Sequence, residues 1–151
     1  MSIKNIKLEE ITEEIKDLLL SADPDFSKIE KYLGDSQIYI LQKNKENIGV
    51  LVLKQIDKHI SEIMNIAVKE KYRGNGYGRK LLEHSGGEAK AAGSKYLKIE
   101  TGNSSINQIS IYQKFGFRFH EIVEDFFKDY NGEITENGIK CIDMIRFRKE
   151  L

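Results

Sequence analysis

The chain has one cysteine in 151 residues, Cys141, so no disulfide can close within it and packing must hold it together. The flanking Ile139 and Ile142 put that cysteine on a strand, as a small and inert core residue. An excess of either charge is equally lacking. Lys and Arg number 24 and Asp and Glu number 24, a formal net charge of zero, which gives no general attraction to nucleic acid or to an anionic membrane; any basic site must be local. The longest run of wholly apolar side chains is Val50 to Leu53, too short to span a bilayer. The opening Met1-Ser2-Ile3-Lys4-Asn5 lacks the apolar stretch of a secretory signal, so a cytoplasmic location is expected. His59, His84 and His120 fall on separate segments without metal-ligand spacing, and no metal centre is expected.

What remains is an ordinary globular composition, 40% hydrophobic and 32% charged, in a chain long enough to bury most of the surface its unfolded form exposes. No repeat or low-complexity linker divides it, and residues 1–151 read as one domain. Apolar residues at 8, 11, 15, 18 and 19 predict a helix over Leu8 to Leu20, which Asp23-Pro24-Asp25 breaks before capping a second helix that Gly34 ends. Ile38 to Leu41 and Ile48 to Leu53 flank the polar Lys43 to Asn47 as a hairpin, with Gly49 marking a bulge. Then follow a strand over Ile60 to Val68, a helix to Ala92, a strand over Tyr96 to Thr101, a helix over Ser104 to Lys114, and strands over Phe117 to Ile122 and Ile139 to Phe147. Alternation of this kind predicts an α/β (α+β) domain, a mixed sheet with helices on both faces. Gly86-Gly87 disturbs the long helix at about 1 kcal/mol each relative to alanine, and a kink or tight packing is the expected reason.

The most telling stretch is Arg73-Gly74-Asn75-Gly76-Tyr77-Gly78, between the apolar Ile63 to Val68 and the helical Arg79 to Glu83. A strand feeding a glycine-rich turn that opens a helix gathers unpaired N–H groups and the positive end of a helix dipole, which suits a phosphate or pyrophosphate. Neither common glycine-loop pattern fits, because Arg79 stands where the nucleoside-triphosphate loop requires its second glycine and where the dinucleotide fingerprint requires its third. What fits is Arg/Gln-x-x-Gly-x-Gly/Ala, filled by Arg73, Gly76 and Gly78.

On those residues, Met64 to Glu83 resembles the coenzyme A signature of the Gcn5-related N-acetyltransferases (GNAT). Its Asn65-Ile66-Ala67-Val68 and Leu81-Leu82-Glu83-His84 wording resembles the bacterial ribosomal-protein alanine N-acetyltransferase branch. A second block, Tyr112-Gln113-Lys114-Phe115-Gly116-Phe117, is similar to the family's Tyr-x-Lys-x-Gly-Phe ending. The resemblance covers residues 62 to 120 and is thin outside them. It implies a single-domain GNAT-like fold with a mostly antiparallel twisted sheet of six to seven strands, and transfer of an acetyl group from acetyl-CoA to the primary amine of a small molecule or a protein N-terminus. A non-catalytic coenzyme A binding or sensing module stays open as the alternative, as does a homodimer.

Residue by residue, the resemblance implies a pyrophosphate on the amides of Gly74, Asn75, Gly76, Tyr77 and Gly78, with local positive charge from Arg73 and Arg79. The pantetheine arm would run along the main chain of Ile66, Ala67 and Val68. Tyr112 would protonate the leaving thiolate, since a phenol of pKa about 10 keeps its proton at neutral pH. Glu100, which matches the base of the ribosomal-protein branch, would be the base, or failing that Glu62, which lies where other branches place theirs. Where the family commonly has an asparagine, seven residues before the tyrosine, this chain has Ser105, with Asn103 and Asn107 two residues to either side; which of the three meets the coenzyme is left open. Phe126, Phe127 and Tyr130 would wall the acceptor pocket.

Overall fold

The computed structural model describes residues 1–130 and 132–151. Its strands are β1 (Ser2–Ile6), β2 (Gln37–Lys43), β3 (Glu46–Gln55), β4 (Ile60–Val68), β5 (Tyr96–Gly102), β6 (Arg118–Val123), the short β7 (Thr135–Glu136) and β8 (Ile139–Lys140), and β9 (Met144–Glu150). The α-helices are α1 (Glu13–Ala22), α2 (Phe26–Leu33), α3 (Tyr77–Ala91) and α4 (Ile106–Phe115). Seven strands form one sheet in the order β1-β2-β3-β4-β5-β9-β6, and every neighbouring pair is antiparallel except β4 with β5.

Alternation along β3 sends Leu51 and Leu53 into one apolar layer and Val50 and Val52 into another. The first layer is closed by Leu81, Leu82 and Ala89 of α3 and Tyr112 of α4. The second is closed by Ile15, Leu18 and Leu19 of α1 and Ile29, Tyr32 and Leu33 of α2. A strand buried on both faces reads as a continuous apolar run, which is why Ile48 to Leu53 carries no polar side chain.

One irregularity shapes the centre of the sheet. The parallel pairing of β4 with β5 begins at Ile60 and Tyr96 and ends at Ile63 and Ile99, although β4 continues to Val68 and β5 to Gly102. At that rung β4 carries a bulge: Leu53 pairs Ile63 and Val52 pairs Asn65, leaving Met64 without a partner on β3. A bulge bends its strand and raises its twist, so β4 turns away from β5 and a split opens between them.

Several expectations need correction. Ser2–Ile6 is an edge strand that the sequence reading left unassigned, and the first helix starts at Glu13, after a 3-10 turn at Leu8–Glu10 and a Thr12 cap whose Oγ1 accepts from Ile15 N–H. The strand expected over Ile139 to Phe147 is two elements, β8 and β9, and the buried Cys141 lies between them and not on a strand. Gly86 and Gly87 sit in an unbroken helix with open space around them, so tight packing is not their reason. Gly49 lies beside a bulge in the β2–β3 pairing, and a Cβ there would meet Leu81 Cδ1 at 3.1 Å and the Ala67 carbonyl at 3.2 Å.

Candidate active site

The glycine loop leads from β4 through a 3-10 turn (Glu70–Tyr72) into α3. Gly74 (φ 80°) and Gly76 (φ 83°) are left-handed, a conformation that side chains disfavour. Asn75 Nδ2 ties the turn together by donating to the carbonyls of Tyr72 (3.1 Å) and Arg73 (3.2 Å). The first α3 amide with a backbone acceptor is that of Lys80, bonded to the Gly76 carbonyl at 3.1 Å. The amides from Gly74 to Arg79 therefore form an open cradle at the positive end of the helix. A Cβ added at Gly74, Gly76 or Gly78 would meet nothing within 4 Å, which leaves that space to a ligand. Arg79 lies over the Phe115 ring at 5.5 Å and bonds Glu83 at 3.1 Å, and Lys43 bonds the Tyr77 hydroxyl at 2.8 Å.

The split presents main chain. Lys69 N–H bonds the Ile48 carbonyl at 2.8 Å, so by antiparallel alternation the Ala67 amide and carbonyl also face β3, while those of Ile66 and Val68 face the split. Of the three residues expected to offer main chain, Ala67 is thus committed to the sheet. Arg73 Nε donates to the Val68 carbonyl at 3.0 Å, a bond that a ligand taking that carbonyl must displace. A groove of about 580 Å³ between α1 and this end of β4 is lined by Asp17, Leu18, Ser21, Val68 and Arg73 among others.

Tyr112 and the two candidate carboxylates lie on opposite faces of the split. Tyr112 is buried in the α3–α4 layer, edge-on to Phe117 and Phe147 at 6.0 and 5.6 Å, in the same cluster as Ile63 and Ile99 of the last paired rung. Burial pushes its pKa up, so its proton is kept more firmly than that of a free phenol. Leu97 and Ile99 point into that layer; Lys98 and Glu100, and Glu62 in register with Lys98, therefore point to the α1–α2 side. There Glu100 accepts from Arg146 Nε at 2.8 Å, and Arg146 donates its second bond to Glu121 at 2.6 Å. Glu62 makes no such ion pair among the described residues. Burial first, and the Glu100 charge second, raise its pKa above the usual carboxylate range.

Beyond β5 the chain returns over this face. Phe126, Phe127 and Tyr130 pack on one another, with centroids 5.1 Å apart for the two phenylalanines and 5.0 Å for Phe127 and Tyr130. Gly102 makes room for them: a Cβ there would come 2.5 Å from Cys141 Sγ and 3.3 Å from Phe127 Cε2. Near the start of α4, Asn103 donates to the Lys140 carbonyl and accepts from the Ile142 and Asp143 amides, and Ser104 and Ser105 both bond Glu136. Of the three candidates there, Asn107 alone is exposed and free of a bond to any described residue.

Sequence reasoning missed Arg146, Asp23, Tyr32 and Asn65, which the fold gathers on the α1–α2 side of the sheet. Asn65 Nδ2 donates to the Leu19 carbonyl (3.0 Å) and to the Tyr32 hydroxyl (3.1 Å), and the half-buried Asp23 accepts from the Tyr130 hydroxyl at 3.5 Å. No local pattern marks them; these pairings span 25 to 107 residues. No group of three or more His, Cys, Asp or Glu among the described residues is placed to hold a metal, and no helix there is long and apolar enough to cross a membrane.

Comparison with known proteins adds a family. The acetyltransferase (GNAT) domain model matches residues 34–119. An uncharacterized N-acetyltransferase of Bacillus subtilis, YvbK, is 41% identical over the full length of both chains. A crystal structure of a GNAT family acetyltransferase from Elizabethkingia anophelis with acetyl-CoA bound superimposes with a TM-score of 0.94 at 42% identity, covering 99% of this chain and 97% of that one. An IAA acetyltransferase from Bacillus cereus gives 0.94 at 45% identity, covering 99% of both. The ribosomal-protein-S18-alanine N-acetyltransferase from Escherichia coli stands further off, at 0.79 and 20% identity over 99% of this chain and 92% of that one, a likeness of fold alone.

Proposed function

The chain belongs to the GNAT family of acetyltransferases, and from that premise we propose that it is a cytoplasmic, single-domain enzyme transferring the acetyl group of acetyl-CoA to a primary amine by direct attack. The observation that carries the reading is the split itself. An amide cradle, the main chain of Ile66 and Val68 turned away from β3, a buried phenol on one face and a carboxylate without an ion pair among the described residues on the other support it.

In this reading the amides of Gly74 to Gly78 hold the pyrophosphate with Arg73 and Arg79 beside it, and the main chain of Ile66 and Val68 pairs with the pantetheine arm. Asn107, the exposed member of its trio, is the residue of α4 that meets the coenzyme. The Val68 amide polarises the thioester carbonyl, needing no side chain to do so. Glu62 is the first candidate for the base, because burial raises its pKa and no guanidinium among the described residues occupies its oxygens, as Arg146 does those of Glu100; Glu100 is the second. The base takes a proton from the acceptor ammonium, directly or through water. The amine nitrogen bonds to the carbonyl carbon, the carbon–sulfur bond breaks, and the Tyr112 proton goes to sulfur. Amide and coenzyme A thiol are the products.

The test is thiol release from acetyl-CoA over a panel of small amines, amino acids and peptides with free N-termini. Release with any of them supports the reading. Tight coenzyme binding by calorimetry with no release from any would make the protein a coenzyme A binding module instead. A protein N-terminus is the alternative acceptor.

A further inference from the structure

Side chains along β4 do not simply alternate. Ile63 lies in the α3–α4 layer and Met64 packs on the α1–α2 layer, while Ile66 and Val68 return to the first and Ala67 to the second. Asn65 stays on the α1–α2 side with Met64: its Nδ2 donates to the Leu19 carbonyl at 3.0 Å and to the Tyr32 hydroxyl at 3.1 Å. The bulge thus puts two successive side chains on one face and resets the alternation for the rest of the strand. Without it, Met64 would pair with Val52, Asn65 with Leu51 and Ile66 with Val50, one residue out from the observed register. Such a slip turns every side chain to the other face. It also exchanges the main-chain groups: Ile66 would bond to β3, and the amides of Asn65 and Ala67 would face the split.

Both layers are apolar, so Ile66, Ala67 and Val68 distinguish the two registers by size alone. Asn65 distinguishes them by hydrogen bonding. It is 4% exposed, and in the slipped register its carboxamide would enter the α3–α4 layer beside Leu51, away from both of its acceptors. A buried amide left without partners is costly. Even in place, Asn65 Oδ1 is buried and accepts from no described residue, a cost that a leucine of similar size would not carry. Packing alone does not call for an asparagine at this point. The structure assigns Asn65 as a positioning residue for the coenzyme: by holding the bulge at Met64, its carboxamide fixes Ile66 and Val68 as the residues whose main chain the pantetheine arm meets. This rests on the acetyl-CoA half of the reading above and names the side chain that sets its main-chain contacts.

The experiment measures acetyl-CoA affinity by calorimetry, and residue-resolved amide exchange with and without acetyl-CoA, in the parent protein, Asn65→Leu and Tyr32→Phe. In the parent, loading is expected to slow exchange at Ile66 and Val68 and to leave Ala67 as it was. Asn65→Leu should raise Kd by about tenfold or more and move the protection from Ile66 and Val68 to Ala67, or abolish it. Tyr32→Phe keeps the Leu19 bond and should raise Kd by about threefold. A folded Asn65→Leu protein with the parent's Kd and the parent's protection pattern overturns the inference whatever its Tm, since a residue that only stabilises the fold leaves both unchanged. If Asn65→Leu does not fold, an unchanged Kd in Tyr32→Phe overturns it. Parent protein that binds acetyl-CoA without protection at Ile66 and Val68 overturns it while leaving coenzyme binding standing. Parent protein that does not bind acetyl-CoA overturns both.

Discussion

In the proposed reading, the coenzyme side and the acceptor side of the β4–β5 split meet at one place but are assembled differently. The coenzyme side is nearly one continuous segment: β4, the glycine loop and the start of α3 lie within residues 60 to 80 and work through main chain. The acceptor side is drawn from α1, α2, β4, β5, the Phe126–Asp129 turn and β9, and works through side chains. Main-chain recognition constrains a sequence only through glycines and the helix start, so it tolerates change around it and stays recognisable. Side-chain recognition across distant segments changes with each residue that faces the acceptor. The difference teaches that in this reading the donor site is written in one short segment and the acceptor site only in the folded arrangement of many.

That contrast can be broken by substitution. Tyr112→Phe removes only a hydroxyl, and a loss of about 10²-fold in kcat with coenzyme affinity nearly unchanged is expected if the phenol protonates sulfur. Steady-state kinetics decide it, and a loss confined to KM would turn Tyr112 into a binding residue. Gly78→Asp should weaken acetyl-CoA binding by about tenfold, near 1.4 kcal/mol, in a folded protein, because a side chain would occupy space that is open at Gly78. Calorimetry reads it directly, and unchanged affinity would remove the cradle from the coenzyme side.

On the acceptor side, Glu62→Gln is expected to lower kcat/KM by about tenfold at neutral pH, more than Glu100→Gln does. The deficit should shrink toward pH 10 as the amine deprotonates unaided. A deficit constant with pH would make Glu62 a positioning residue, and a larger loss in the Glu100 variant would return the base to β5. The smallest effect is on stability. Glu62 holds its proton more tightly in the folded chain than in the unfolded one, so its ionised form works against the fold. The penalty is absent below the ordinary carboxylate range and grows as pH rises through the raised pKa. Glu62→Gln should therefore raise Tm by no more than about 3 °C at pH 8 and leave it unchanged at pH 4, as scanning calorimetry can check.

The same contrast explains what was legible in the sequence. The order of elements from β2 to α4 follows from periodicity and turn residues, and the glycine loop from three positions, because both are local. Edge strand β1 was missed because Ser2-Ile3-Lys4-Asn5-Ile6 is short, polar and largely exposed; only its pairing with β2 makes it a strand. Asn103, Ser105 and Asn107 stood as open alternatives for the coenzyme contact; the side chains of Asn103 and Ser105 bond the Glu136 to Asp143 stretch, contacts that span more than thirty residues and that no local pattern reveals. The resemblance put Glu100 ahead of Glu62 as the base, both being carboxylates on strands. Arg146, directly opposite Glu100 on β9, separates the two, and no spacing rule reveals a cross-strand partner that far along the chain.

The bulge at Met64 gives the sheet an internal edge in a place where sheets usually have none. Past Ile63 and Ile99, the two strands carry rows of amides and carbonyls that do not pair with each other. A coenzyme lying there behaves as a removable strand, and the folding equilibrium becomes a gauge of its concentration: at a hundred times Kd it adds about 2.7 kcal/mol to the free energy of unfolding. Amide exchange at Ile66 and Val68 would be slow in the loaded protein and fast in the empty one. An unloaded chain, with that inner edge bare, is also the form more open to stray strand pairing and to proteases. Metabolic supply of the donor would then govern not only how fast the protein works but how long each copy lasts.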